Sequence, residues 1–132
     1  MYKRQLDEAT LASLQDFVAS IPVPGTVVEA IVDLTRATRP GEAEAPTQAR
    51  ELLRWGAGPR AGQQLVAACR ARAALHGRPA VVTEDVAALA PAVLAHRVVP
   101  SFAAEARKLR ARDIVTEILG TVTSLSTSPS GA

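Results

Sequence analysis

Apolar residues recur along this chain with the period of an α-helix. Leu11, Leu14, Phe17, Val18 and Ile21 fit one amphipathic helix that Thr10 can cap, and Pro22-Val23-Pro24-Gly25 stops it. Val27, Val28, Ile31, Val32 and Thr35 predict the buried side of a second helix. It ends at Thr38-Arg39-Pro40, because the residue before a proline avoids helical geometry. Residues 40–46 are rich in Gly, Glu, Ala and Pro without periodicity and predict an exposed, mobile loop. Thr47 opens a short helix through Leu52 and Leu53 to Trp55, and the Gly56–Gly58 turn separates it from a longer helix, Pro59 to about His76. Gly77 is placed as the C′ residue of that helix.

After a brief extended piece at Val81-Val82, Thr83 is placed to cap the next helix, with Glu84 and Asp85 set against the positive end of its dipole. Val86, Leu89, Ala90, Val93 and Leu94 form its inward stripe, and Pro91 inside that stripe predicts a bend near Ala90. A last helix, Asp113 to Val122, turns Ile114, Val115, Ile118, Leu119 and Val122 inward. With no credible strand, the pattern predicts an all-α fold: a small bundle of about five helices. It divides the chain into a non-native leader at residues 1–5, one helical domain at 6–123 and a disordered tail at 124–132. Met1-Tyr2-Lys3-Arg4-Gln5 reads as translated adaptor sequence, which would make the chain a downstream piece of a longer gene; the alternative is an ordinary basic N-terminus.

Composition narrows the function classes. At 132 residues the chain can bury a core. Its aromatic inventory is Tyr2, Phe17, Trp55 and Phe102, too few for a surface that stacks successive RNA bases. A net charge of +2 does not argue for nucleic acid, and the basic run Arg107 to Arg112 reads first as a solvated helix face. Cys69, the single cysteine, lies in an apolar helical pattern and reads as a small buried hydrophobe. No segment is long and apolar enough to cross a membrane, and no signal-peptide core opens the chain, so the expected setting is cytoplasmic.

Catalytic signatures are missing from the sequence. It holds no Gly-x-x-x-x-Gly-Lys-Ser/Thr loop, no hydrophobic strand ending in Asp-Glu to hold magnesium, and no Gly-x-Ser-x-Gly elbow. His76 and His96 fall on different helices, without Cys or carboxylates at metal-ligand spacing. The expectation is therefore no catalytic residue and no metal site. What stands out is Gly56-Ala57-Gly58-Pro59-Arg60-Ala61. Pro59 is preset for the first helical turn, and Arg60 presents a planar cationic fork where backbone N–H groups also attract anions. The bland alternative is a surface arginine at the end of the dipole that suits a cation least, and local chemistry leaves the two readings level.

That run resembles the sensor-2 motif of the MoxR family of AAA+ ATPases, usually Gly-Ala-Ser-Pro-Arg-Ala. Further pieces fall in family order. They are Thr38-Arg39, Arg72-Ala73, Gly77-Arg78, Val82-Thr83-Glu84-Asp85-Val86, Leu94-Ala95-His96-Arg97, and Phe102 to Glu105 with the last helix. The likeness covers roughly Leu6 to Val122, with Gly58 in place of the usual serine and a longer loop from Pro40 to Thr47. It implies the helical lid of an ATPase, in which the sensor-2 arginine, here Arg60, meets nucleotide phosphates. Pro59 and Gly58 shape that site, and Arg39 is a second-rank candidate to face the nucleotide or a neighbouring subunit. His96 and Arg97 fall to structural or interface roles.

The resemblance implies ATP with Mg2+ in a parent protein and none bound by this chain alone. It also implies partners: its own ATPase core, a homo-oligomeric ring, client proteins to be remodelled or matured, and a von Willebrand factor A domain protein. The magnesium-chelatase ATPase subunit has a related lid. Two other classes compete. One is a stand-alone helical protein-interaction module without nucleotide binding. The other is a helical nucleic-acid binder using Arg107 to Arg112, for which a steep salt dependence would be the sign.

Overall fold

A computed structural model describes residues 5–126. The leader proposed at residues 1–5 lies outside them except for Gln5, and the tail lies outside them from residue 127 on. Five substantial helices build the domain: α1 (Glu8–Ser20), α2 (Gly25–Ala37), α4 (Pro59–Leu75), α5 (Thr83–Ala95) and α7 (Ala111–Thr121). Three short ones, α3 (Thr47–Leu52), α6 (Phe102–Ala106) and α8 (Thr123–Ser126), fill the joints. The tail expected from Ser124 thus begins as a helical turn, with Leu125 packed against the core.

A two-stranded antiparallel sheet departs from the strand-free expectation. β1 (Leu53–Trp55) pairs with β2 (Val99–Pro100), Leu53 opposite Pro100 and Trp55 opposite Val99. The short helix therefore stops at Leu52 instead of reaching Trp55. The cause is distant in sequence: the Ser101 N–H donates to the Leu52 carbonyl at 2.8 Å and its hydroxyl to the Glu51 carbonyl at 2.7 Å.

The core lies where α4 and α5 cross and α7 packs on α5. Leu34 of α2, Leu65 of α4, Leu94 of α5, and Ile114 and Ile118 of α7 are all fully buried. α2 enters it in a different phase from the one expected. Val27, Ala30, Ile31, Leu34 and Thr35 are buried at i, i+3, i+4, i+7 and i+8, while Val28 and Val32 face solvent. α1 is capped by Asp7, whose carboxylate accepts the Thr10 N–H at 2.7 Å, so Thr10 is inside the helix and not its cap. None of its residues is buried, and Leu11, Leu14 and Phe17 stand 46%, 47% and 58% exposed. This helix presents an apolar face that the domain itself does not cover. Its other tie is Arg70 of α4, whose Nε donates to the Ile21 carbonyl at 2.9 Å.

Helix ends explain the remaining turns. Gly77 has φ +65°, and the Arg78 N–H reaches back to the Ala73 carbonyl while the Gly77 N–H meets that of Ala74, a Schellman closure of α4. α6 closes the same way through the Leu109 and Lys108 N–H groups onto Ala104 and Glu105. There Lys108 takes the left-handed role at φ +57°, so the basic run is largely a turn between α6 and α7 and not a helix face. A side chain in that region is strained, and Lys108→Gly should raise stability by about 1 kcal/mol, read as a higher urea midpoint at an unchanged slope. α5 runs unbroken through Pro91, which has no N–H to give the Ala87 carbonyl.

Candidate functional site

The run from Gly56 to Arg60 is held by the end of α2, nineteen residues upstream in the case of Thr38. Thr38 is fully buried. Its hydroxyl donates to the Thr35 carbonyl at 2.6 Å and accepts the Ala57 N–H at 3.0 Å. Arg39 takes the other side of the same residue, its Nε donating to the Ala57 carbonyl at 2.9 Å. Ala57 is thus gripped by both its backbone groups and is itself buried. Gly56 makes the grip possible. A Cβ there would stand 2.4 Å from the Thr38 carbonyl oxygen and 2.6 Å from the Arg39 Cα.

Beyond Ala57 the chain turns outward. Gly58 is the N-cap of α4 and supplies no side-chain cap, and Pro59 sits in the first turn. The first donor groups of α4 accordingly lack a side-chain acceptor, which a serine at Gly58 could offer without meeting any atom within 4 Å. Arg60 follows, exposed, and has no hydrogen-bond or ion-pair partner among the described residues. Its neighbour Ala61 is buried in the core, so the helix behind the arginine is anchored from its third residue. The result is a free guanidinium at a fixed helix N-terminus, where the dipole and loose N–H groups favour an anion.

The four sequence candidates therefore divide. Gly58, Pro59 and Arg60 form one exposed edge. Arg39 adjoins it, about a third exposed, tied to Ala57 and at 3.6 Å from Glu42. Thr38, read from the sequence only as the partner of Arg39 at a helix end, proves to be the buried half of the grip. A threonine directly before an arginine at the end of an apolar helix was the available signal. The loop 40–46, expected to be mobile, is pinned as well. Arg36 lies 3.3 Å from Glu42 and 3.6 Å from Glu44, Arg50 donates to the Ala43 carbonyl at 3.0 Å, and Ala45 is buried.

At the far end of α4 a second charged cluster keeps the helix in place. Asp85 is fully buried. Its carboxylate accepts from Arg72 at 2.5 Å, from Arg78 at 2.8 Å through its second oxygen, and from the Val82 N–H at 2.9 Å. Burial pushes this carboxyl up, but the Arg78, Val82 and Arg72 hydrogen bonds together outweigh it and hold the group at about 2. Glu84 and Asp85, expected to act alike on the dipole, separate here: Glu84 is exposed with no such hydrogen bonds, while Asp85 joins α4, the Gly77-Arg78 turn and α5. It also caps α5 through Val82, which puts Thr83 inside the helix rather than at its cap. Beside it, Cys69 is buried, and burial followed by the Asp85 charge pushes the thiol up to about 11, so it stays protonated and inert at neutral pH. His96 is exposed, and Arg97 hydrogen-bonds Gln64 of α4. No three side chains of the metal-ligating types gather among the described residues.

Comparison with known proteins places this geometry. The AAA lid domain family matches residues 45–118. Over 120 residues the chain is 32% identical to Chaperone MoxR1 of Mycobacterium tuberculosis, a match spanning 91% of this chain and 32% of that protein. Over 82 residues it is 43% identical to Protein MoxR of Paracoccus denitrificans, spanning 59% of this chain and 24% of the relative. The crystal structure of a protein from Cytophaga hutchinsonii, assigned as an ATPase, superposes with a TM-score of 0.77 at 26% identity, over 84% of this chain and 34% of that one. The chain thus spans about a third or less of the length of the proteins it matches.

Proposed function

The chain belongs to the AAA lid domain family and is homologous to MoxR chaperones over most of its length, and on that footing we propose that it is the nucleotide-sensing lid of a MoxR-type AAA+ ATPase. Arg60 meets the phosphates of ATP held with Mg2+ on an ATPase core and passes the state of those phosphates to the angle of the lid. The observation that carries this reading is the free Arg60 guanidinium at a helix start whose approach is gripped from both sides at Ala57. Uncommitted charge on a rigid mount is what a phosphate contact needs, because a floppy arginine would lose its gain in ordering entropy.

The uncovered face of α1 supports the second half of the reading. Leu11, Leu14 and Phe17 give the lid an apolar surface to lay on its own ATPase core. On this reading the whole protein is a cytoplasmic ring of like subunits that remodels or matures client proteins, with a von Willebrand factor A domain protein as companion. The lid carries no catalytic group of its own. Arg60 is exposed and unpaired among the described residues, so its removal should leave the fold intact. In the ATPase that carries this lid, Arg60→Ala should lower the turnover of Mg-ATP roughly 10- to 100-fold, the span of a lost hydrogen bond to a charged group. Unchanged turnover with unchanged melting would reject the phosphate role and favour a helical interaction module that docks through α1.

A further inference from the structure

Next to Arg60 an open cavity of about 710 Å³ is lined by Arg39, Pro40, Glu42, Trp55, Gly58 and Pro59, among others. Its volume falls within the range of small-molecule sites. The phosphate reading leaves the aromatic one of these residues unused. Trp55 is the single tryptophan of the chain, and its side chain stands 63% exposed. Its backbone is nevertheless fixed on both sides. It pairs with Val99 across the two-stranded sheet, and Gly56 directly after it is pressed against the Thr38 carbonyl. A bare indole on a fixed root is a ready π-surface, since the ring is exposed without having to be ordered when a ligand arrives.

The surroundings select the ligand. Arg54 before the indole and Arg60 after it are both exposed and without hydrogen-bond or ion-pair partners among the described residues. Pro40, Gly41, Gly58 and Pro59 line the same cavity and bring no side-chain rotamers to freeze. A flat aromatic face in a hollow of stiff small residues, with Arg54 on the same lining and Arg60 one residue beyond Pro59, suits a molecule that is aromatic at one end and anionic at the other. We propose that Trp55 is a stacking platform for the base of the nucleoside triphosphate whose phosphates reach Arg60. One aromatic ring serves one base, so the site reads a mononucleotide, in keeping with the aromatic scarcity that argues against a polynucleotide surface. The proposal rests on the phosphate reading of Arg60 and adds the recognition of the base.

The test separates the two. In the ATPase that carries this lid, equilibrium binding of a non-hydrolysable Mg-ATP analogue is compared with that of magnesium tripolyphosphate, which has the phosphates and no base. Trp55→Ala should weaken the nucleotide roughly 5- to 100-fold, the span of one base–aromatic stack, and leave tripolyphosphate unchanged. Trp55→Phe, which keeps a π-face, should recover most of the loss. Arg60→Ala should weaken both ligands. If Trp55→Ala weakens neither ligand, or weakens both alike, the platform is overturned, whatever Arg60→Ala does. If it changes the oligomeric state and leaves nucleotide affinity untouched, the indole belongs to a protein contact and the proposal fails. If Arg60→Ala alone is silent, the phosphate reading fails, and with it the proposal that rests on it.

Discussion

Gly56→Ala should destabilise the domain by about 3 kcal/mol, the upper part of the range for forcing carbon into a packed site. The added methyl would meet the Thr38 carbonyl oxygen at 2.4 Å, the Arg39 Cα at 2.6 Å and the Arg39 nitrogen at 2.7 Å. All three are backbone atoms and cannot swing away as a side-chain end would. Relief requires the Gly56–Gly58 turn to lift off the end of α2, which breaks the Thr38 and Arg39 hydrogen bonds to Ala57. Urea denaturation of the variant beside Gly58→Ala, where a Cβ meets nothing within 4 Å, isolates the close approach from the general effect of losing a glycine. The Gly58 variant should stay within about 0.5 kcal/mol of the parent. Equal midpoints for Gly56→Ala and the parent would mean that the turn is not pressed against α2. If the chain is the proposed lid, Gly56→Ala should also lower the turnover of the ATPase that carries it although it leaves Arg60 in place, because the mount of the arginine is lost.

The same contact shows where the sequence was informative and where it was not. The five main helices, the Gly77 turn and the inward faces of α5 and α7 follow from periodicity and from proline and glycine punctuation, which act over a few residues. The N-caps read at Thr10 and Thr83 fall instead to Asp7 and Val82. The exposed Gly58-Pro59-Arg60 edge was equally legible, because proline and glycine punctuate a helix start by local geometry. What escaped depends on partners far along the chain. β1 exists because Ser101 reaches Leu52 and Val99 pairs with Trp55, and no pattern within residues 53–55 announces a partner so far along the chain. Periodicity alone does not fix the phase of α2, because Val28 and Val32 are as apolar as Val27 and Ile31. Only packing against α4 and α5 decides that the small Ala30 and the large Leu34 go inside. α1 has a clean apolar stripe and yet no buried residue, since periodicity says that a face will be covered and not by what.

The candidate site follows the same division. Arg60 was found from its own neighbours. The grip on Ala57 needs Thr38 and Arg39, whose nearness to Gly56 is tertiary. Arg39 itself, expected to face a nucleotide or a neighbouring subunit, donates its Nε to Ala57 while lining the same cavity as Gly58 and Pro59. Glu84 and Asp85 look alike at a helix start, and only the positions of Arg72 and Arg78 make one a surface charge and the other a buried anchor.

That anchor carries the second large effect. Asp85→Asn should cost about 3 kcal/mol, near the low end for breaking a buried ion pair. The low end applies because the orphaned Arg72 and Arg78 side chains are each 29% exposed and can turn toward water, whereas Asp85 is fully buried. Losing one arginine should cost less than losing the carboxylate, since Asp85 keeps the other arginine and the Val82 N–H. Arg72→Gln and Arg78→Gln are each expected at about 1 to 2 kcal/mol. Asp85→Asn within about 0.5 kcal/mol of the parent in urea would remove the anchor from the account. The pH dependence follows from the sign of the shift. The carboxyl is held at about 2 in the folded domain against 3.8 for an unperturbed aspartate, so the folded state favours the charged form. Its contribution is full above about pH 3.8 and is lost as the pH falls through about 2. Acid denaturation of the parent should show this loss, and Asp85→Asn should lack it, so the two stabilities converge below about pH 2. Because Arg72 belongs to α4, whose first turn bears Arg60, and Asp85 to α5, the ion cluster fixes α4 from its far end while Thr38 and Arg39 fix the approach to its start. On the proposed reading both are needed, since an arginine that met phosphate could move the helix behind it only if that helix could not slip against α5.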